Sequence, residues 1–253
     1  MPSKTPKPAG GDVETSLTTA VLDRLRADIL AGELLPGEKL RLEHLTERYG
    51  SGRTPLREAC SRLAAEGLVL ASEQRGFRVM PISRSDLLDL TVTRQRIESL
   101  ALRDAIAHGE AAWEARVHAA WQHLQTVPRG GRSGLGPVWE DGHRELHAAL
   151  LSACDSPWLL RFRTILYDQS ERYRRLSVVV AGAPRDIDRE HAELVRASLE
   201  RDAERAVALL VEHLAKTKDL VLRGHPALTP DDGEPVRPSP LKMSTKSRKT
   251  PVA

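Results

Sequence analysis

The chain has few cysteines, no long apolar run and no large excess of one charge. Its two cysteines, Cys60 and Cys154, fall in separate helical stretches, which argues against a disulfide framework and favours a reducing setting. No apolar run approaches the roughly 20 residues that a membrane-spanning helix needs. The N-terminus also lacks the apolar core of a secretory signal. We therefore expect a cytoplasmic protein without a membrane partner.

A length of 253 residues suffices for two modest domains, each with a hydrophobic core of its own. The net charge of +3 is a mild basic bias rather than that of a polycation. Any contact with nucleic acid must therefore depend on the local arrangement of charge. Such a local arrangement is present, because Arg48, Arg53, Arg57 and Arg62 lie close together in the sequence.

Residues 15–80 have the order of elements found in a winged helix-turn-helix. Apolar spacing predicts two helices, and Thr54 followed by Pro55 signals the start of a third. Threonine can cap free amides, and proline at the first helical position loses no hydrogen bond. Gly67 ends this helix, and two short strands around a polar turn follow. The predicted helices cover residues 15–31, 42–49 and 54–66, and the strands cover 68–71 and 77–80.

This small domain places basic residues on a surface that suits double-stranded DNA. Arg53 and Arg57 are four residues apart, so they share one face at the N-terminal end of the third helix, the end that meets base edges. Arg75 and Gly76 lie at the wing, where glycine permits close approach to the DNA backbone. The alternative is that the arginines are solvated surface charges. The predicted DNA contacts are Arg53, Thr54, Arg57, Arg75 and Gly76.

After residue 80 the sequence predicts helices and no further strand. Ser83 and Asp86 have the pattern of a helix cap, and segments with proline and glycine separate the later helices. The predicted fold class is mainly α, with a winged helix-turn-helix followed by an all-α bundle over residues 83–222. We expect helices over about 87–107, 111–126, 137–153, 156–179, 187–200 and 202–222, and disordered segments over 1–14 and 223–253.

Four histidines of the second domain form a candidate metal site. His143 and His147 are four residues apart, so both project from one face of a helix, as chelation requires. His191 opens one predicted helix and His213 lies in the next, and each can point into the bundle. Neutral imidazoles are good ligands for zinc, nickel and similar divalent ions. The alternative is that each histidine is a structural residue of the core.

The DNA-binding pattern carries a family resemblance. Residues 15–80 resemble the DNA-binding domain of GntR-type transcription regulators. The resemblance implies that Arg53 and Arg57 contact the operator and that Gly76 is the glycine of the wing. One departure is Gly52, which stands where the family usually has a serine or threonine able to bind phosphate.

The helical segment from about Ser85 to Leu222 resembles the FCD effector domain of the FadR-like branch of GntR regulators. The resemblance implies a divalent transition metal, zinc or nickel, held by an acidic residue and three histidines. His147, His191 and His213 match the histidine positions, whereas His143 occupies the acidic position. The landmarks that carry the resemblance are Asp86, Leu87, Arg94, Glu98, His147, Arg189, Glu190, His191, Asp202 and His213.

In metal-containing members of this branch, the ion and nearby polar side chains hold a small carboxylate. Arg94 is the leading candidate for such a contact, since a guanidinium forks onto a carboxylate. Tyr167 and Arg172, on a central helix, are further candidates, with packing and surface positions as the alternative. The stretch over 139–176 also resembles the subgroup that contains a glutarate-responsive carbon-starvation regulator, which implies a dicarboxylate effector.

These features predict a ligand-controlled transcription regulator, a repressor that binds a pseudo-palindromic DNA operator as a homodimer. One alternative is a constitutive DNA-binding dimer whose helical domain is purely structural. A remote alternative is a metal-dependent hydrolase, with Glu190 beside His191 as a base. No nucleophile motif accompanies that pair, and the hydrolase reading leaves the DNA-binding domain unexplained.

Overall fold

The computed structural model describes residues 11–72, 76–128, 136–177, 185–224 and residue 228. Helices dominate these ranges, and a small antiparallel sheet belongs to the N-terminal domain. The mainly α fold class predicted from the sequence is confirmed. Within these ranges, no helix combines the length and the apolar character that crossing a bilayer requires.

The N-terminal domain contains three helices and three short strands. The order of strands in the sheet is β1-β3-β2, with both pairs antiparallel. The sequence did not predict β1, because two residues are too few to show an alternating pattern. The elements are α1 (Gly11–Ala31), β1 (Lys39–Leu40), α2 (Leu42–Tyr49), α3 (Arg53–Ala65), β2 (Val69–Ser72) and β3 (Gly76–Val79).

Two helix starts in this domain differ from the sequence prediction. Helix α1 begins at Gly11, so residues 11–14, expected to be disordered, are helical. Helix α3 begins at Arg53, and the extended backbone of Gly52 occupies the capping position. Thr54 is therefore not the cap, and Pro55 is the third helical residue, where its missing N–H is still one that no helical carbonyl would accept. The Thr54 side chain is exposed instead.

The C-terminal domain is an all-helical bundle whose helices agree with the sequence prediction to within a few residues at most ends. The Ser83 hydroxyl accepts a hydrogen bond from the Asp86 amide at 3.1 Å, which confirms the predicted cap. Helix α6 ends three residues early, at Leu150. The helices are α4 (Arg84–His108), α5 (Ala111–Thr126), α6 (Pro137–Leu150), α7 (Pro157–Ser177), α8 (Ile187–Leu199) and α9 (Ala203–Gly224).

Each domain has a separate hydrophobic core. In the N-terminal domain, Leu25 of α1 packs with Leu56 and Leu63 of α3, and all three are fully buried. In the bundle, α4, α5, α6, α8 and α9 contribute to one large core around residues such as Leu102 and Leu146. The two cores show that the chain forms two units of the size expected from its length.

Helix α7 joins the two domains through polar contacts. The Gln169 side-chain amide donates to the Glu66 carbonyl, at the end of α3, over 2.9 Å. Arg172 donates to the Pro81 carbonyl over 3.2 Å, and the Tyr173 hydroxyl donates to Asp86 over 2.5 Å. One helix of the bundle therefore contacts both the end of the presumptive recognition helix and the segment that connects the domains.

The turn between α4 and α5 gives a test of the packing. A Cβ added to Gly109 would lie 2.4 Å from the Trp113 ring and 2.7 Å from the Ala105 carbonyl. We expect Gly109→Ala to lower the free energy of unfolding by about 1–3 kcal/mol, because the ring and the backbone must move. Urea denaturation would measure it. Gly52→Ala is the control, since its Cβ meets only Pro55, at 3.7 Å, and equal losses in both variants would contradict the packing argument.

Candidate metal centre and DNA-binding surface

The basic residues of α3 lie on the surface of the N-terminal domain. Arg53 is exposed and pairs with exposed Glu43 of α2 at 2.8 Å. Arg57 is also exposed, and its guanidinium has no ion-pair partner among the described residues. Arg57 can therefore bind DNA without first breaking an ion pair. The structure thus brings Arg53, Thr54 and Arg57 together at one exposed helix end.

The wing is described only in part. Gly76 begins β3 with a φ of +81°, a backbone conformation that glycine adopts without strain. Arg75 lies outside the described residues. The sequence analysis did not select Lys39 and Arg78, which are paired across β1 and β3 and are both exposed. Their opposite positions on adjacent strands place two positive charges on one face of the sheet.

The four predicted histidines converge inside the bundle. His143 and His147 come from α6, His191 from α8 and His213 from α9. All four are buried, and one nitrogen from each lies within 4.8 Å of the others. The i, i+4 spacing on α6 and the packing of α8 against α9 explain the convergence. This cluster of four residues is called the histidine cluster below.

The histidine cluster offers neutral imidazoles with nitrogen atoms that have no partner. Burial is the main cause that lowers the pKa of all four side chains, so each is neutral near pH 7. Nε2 of His143, Nε2 of His147 and both ring nitrogens of His191 are buried without a hydrogen-bond partner. Unpartnered buried polar atoms are rare in folded proteins. A divalent ion would satisfy them.

Side chains around the histidine cluster fix its ring orientations. A Glu190 carboxylate oxygen lies 2.9 Å from Nδ1 of His213, which leaves Nε2 as the nitrogen free to bind. Nδ1 of His143 lies 3.1 Å from the Tyr167 hydroxyl, and the Trp139 ring stacks on His143 at 4.9 Å. These contacts are of the kind that orients histidine ligands of metals, and the donor set fits zinc or nickel.

The same contacts argue against a catalytic base in the histidine cluster. Although burial alone would raise it, hydrogen bonds from His213 and Arg185 lower the pKa of the Glu190 carboxyl. Both carboxylate oxygens of Glu190 accept hydrogen bonds from Arg185. A carboxylate that is held in this way is a poor proton acceptor. The residue that the hydrolase alternative requires is therefore engaged in orienting a histidine.

Two of the three predicted effector contacts lie beside the histidine cluster. Tyr167 is buried and bonds to His143. Arg94 packs over the Tyr167 ring at 5.2 Å, but its guanidinium already donates to Glu98 at 2.7 Å and to Ser170 at 2.8 Å. Arg94 thus reaches the site as a guanidinium that is committed to protein partners.

Arg172 corrects the sequence-based expectation. Its described contacts are with the Pro81 carbonyl and the Tyr173 ring, at the segment that connects the domains. The reason is its position on α7: it lies five residues after Tyr167, which turns its side chain by more than a quarter of a circle from the tyrosine. The structure therefore places Arg172 at the connection between the domains.

A buried residue that the sequence analysis did not select, Arg163, also lies at the site. Its guanidinium sits 4.5 Å from the centre of the Tyr167 ring, and its side chain is 6% exposed. The signal that could have found it is the spacing of four residues from Tyr167, which puts both on one face of α7. Arg163 and Arg94 therefore lie on the same tyrosine.

Comparison with known proteins identifies the family. The model of the bacterial regulatory proteins of the gntR family matches residues 17–79, and the FCD domain model matches residues 89–216. The chain belongs to the GntR family. As a GntR regulator with an FCD domain, it is a DNA-binding transcription regulator, and both resemblances inferred from the sequence are confirmed.

Relatives over most of the chain agree with this assignment. The uncharacterized HTH-type transcriptional regulator BphR of Paraburkholderia xenovorans LB400 is 42% identical, and the match covers 81% of this chain and 85% of the relative. The HTH-type transcriptional repressor GlaR of Escherichia coli K12 is 38% identical over 75% of this chain and 89% of its own. The names of these relatives confirm the prediction of a regulator rather than an enzyme.

The fold is also found in a solved structure. The Escherichia coli protein McbR/YncC superposes with a TM-score of 0.68, covering 82% of this chain and 97% of its own. At 20% sequence identity this likeness concerns the fold alone. It supports the arrangement of a GntR-type DNA-binding domain followed by a helical FCD domain.

Proposed function

We propose that this GntR regulator is a repressor whose operator binding is controlled by a small organic acid bound beside a metal ion. The observation that carries the proposal is the histidine cluster, with its buried, neutral and unpartnered nitrogens next to Tyr167 and two arginines. His143, His147, His191 and His213 would hold a zinc or nickel ion, which would act as a Lewis acid toward a carboxylate.

The charge of the ligands favours an anionic effector. Four imidazoles are neutral ligands, so they leave the full charge of a divalent ion in a buried site. Arg163 adds a further positive charge close by. Since unpaired buried charge is costly, a carboxylate that enters this site gains both the ion and a desolvated cation as partners.

Helix α7 supplies a route from this site to the DNA-binding domain. Tyr167 contacts the histidine cluster, and Gln169, two residues later, donates to the carbonyl that follows α3. A ligand that shifts Tyr167 along or around the α7 axis also moves Gln169 and Tyr173. The end of α3 and the segment that connects the domains would move with them, which changes the position of Arg57 relative to DNA.

We also propose that the regulator acts as a homodimer in the cytoplasm. Helices α4 and α7 expose large apolar side chains, and their burial against a second copy would remove them from water. Two copies would present two α3 helices to a pseudo-palindromic operator. The assignment as a repressor is supported by the name of the relative GlaR. The exposed apolar residues of these helices are Leu88, Val92, Leu100, Trp158 and Phe162.

Operator release by an organic acid tests the proposal. An operator selected in vitro from random DNA would be labelled, and the affinity of zinc-loaded protein for it measured by fluorescence anisotropy. We expect two chains per operator, and an affinity that falls about 5- to 150-fold in saturating dicarboxylate, the usual range of such coupling. The metal-free protein should not respond. An affinity that no mono- or dicarboxylate changes, with zinc bound, would favour the constitutive dimer instead.

A further inference from the structure

Arg163 stands apart from the other arginines around α7 because it has no carboxylate partner. Arg94 pairs with Glu98, Arg144 with Asp168 and Glu171, Arg174 with Glu140, and Arg175 with Glu171. Among the described residues, no carboxylate lies within ion-pair distance of Arg163. Nε and Nη2 of its guanidinium are buried and have no hydrogen-bond partner.

A buried guanidinium with two unused donors is energetically unfavourable in the ligand-free protein. An unpaired charge loses its hydration on burial and gains nothing in return. Stacking on Tyr167 compensates in part, because a ring face attracts a cation. The Glu98 carboxylate attracts Arg163 from a longer distance, but its hydrogen bond goes to Arg94. The group of Arg94, Glu98 and Arg163 therefore keeps one net positive charge.

The position of Arg163 separates it from the histidine cluster. Tyr167 contacts the cluster through its hydroxyl, at His143, and contacts Arg163 through its ring face. The ring thus lies between two places that attract anions, namely the cluster and the guanidinium. One ligand can reach both only if it carries two anionic groups joined by a short chain that runs past the tyrosine.

We propose that Arg163 binds a second carboxylate of the effector, so that the site selects dicarboxylates over monocarboxylates. This proposal rests on the proposed function, which places the first carboxylate at the metal. The two free donors, Nε and Nη2, match the two oxygens of a carboxylate in a bidentate pair. Binding supplies the counter-charge that Arg163 lacks among the described residues.

Paired acids of equal length test this selection. Calorimetric titration of zinc-loaded protein would compare succinate, glutarate and adipate with butanoate, pentanoate and hexanoate. Wild-type protein should bind at least one diacid about tenfold or more tightly than its monoacid. In Arg163→Met that diacid should lose about 10- to 100-fold in affinity, the range of a charge-assisted hydrogen bond or two, while the monoacid is unchanged.

Control variants separate this effect from damage to the fold. Arg161→Met removes an exposed guanidinium two residues away on α7 and should behave as wild type. Zinc content must remain that of wild type. Without ligand, Arg163→Met should unfold at the same temperature as wild type or higher, since an unpaired buried charge is gone. If Arg163→Met does not fold, Arg163→Lys, which keeps the charge but loses the fork, should show a smaller loss of the same selectivity.

The outcomes distinguish the two proposals. A wild-type protein that binds carboxylates without preferring diacids, or an Arg163→Met variant that keeps the preference, overturns the role of Arg163 and leaves the proposed function intact. A zinc-loaded wild type that binds none of the six acids overturns both. Equal losses for diacid and monoacid would place Arg163 at the first carboxylate, which also overturns the proposal.

Discussion

Arg57→Ala is expected to abolish specific operator binding while the fold and the metal content stay unchanged. Arg57 is exposed at the start of α3 and needs to break no ion pair before it contacts a base. A bidentate arginine–guanine contact contributes about 1–3 kcal/mol of discrimination, and a dimer would lose it in both half-sites. The combined loss is about 30-fold to more than 1,000-fold in affinity, which anisotropy with the selected operator would measure.

The matched control is Arg62→Ala, on the last turn of the same helix. Arg62 is also exposed, but it is paired with Glu58 and lies at the end of α3 away from the predicted base contacts. Its removal should change operator affinity by less than threefold. An Arg57→Ala variant with the operator affinity of wild type would show that α3 does not read DNA through its N-terminal end.

Zinc is expected to raise the unfolding temperature of the metal-free protein by several degrees. An ion that binds only the folded state contributes about 2.7 kcal/mol at a concentration of 100 Kd, which corresponds to roughly 5–10 °C for a chain of this size. His147→Asn and His213→Asn each remove one imidazole from the histidine cluster. Differential scanning fluorimetry with and without a chelator should show the shift in wild type and lose most of it in both variants.

His118→Asn is the control for the metal experiment, because His118 is exposed on α5 and lies outside the histidine cluster. It should keep the zinc-dependent shift of wild type, and its bound zinc should remain at the wild-type amount. Full zinc content in both cluster variants would instead support histidines that serve only as core residues.

Local patterns in the sequence predicted most of the fold. The i, i+4 pair of His143 and His147 and the cap at Ser83 depend on residues close in the chain, so spacing alone indicates them. The start of α3 was misplaced because Thr54 and Pro55 also favour a helix whose cap lies one residue earlier. There the backbone of Gly52, rather than a side chain, sets the boundary.

The charge balance of the site could not be read from the sequence. Whether Arg163 is paired depends on which carboxylates reach it from α4 and α6, and those distances follow from packing between helices. The same argument applies to Arg172, which is directed toward Pro81 by its place on α7. Spacing identified the helix that carries the effector residues, whereas packing decided which arginine remains without a partner.

The histidine cluster contains no sulfur ligand, and this has a consequence for the response of the regulator to oxidants. Peroxide attacks thiolates, and a metal site built on cysteine can lose its ion through that reaction. Burial raises the pKa of the Cys60 thiol to about 12, and burial also raises the pKa of Cys154, so both stay protonated and poorly reactive. Metal retention and effector response should therefore persist under oxidative stress, which separates metabolite sensing from the redox state of the cell.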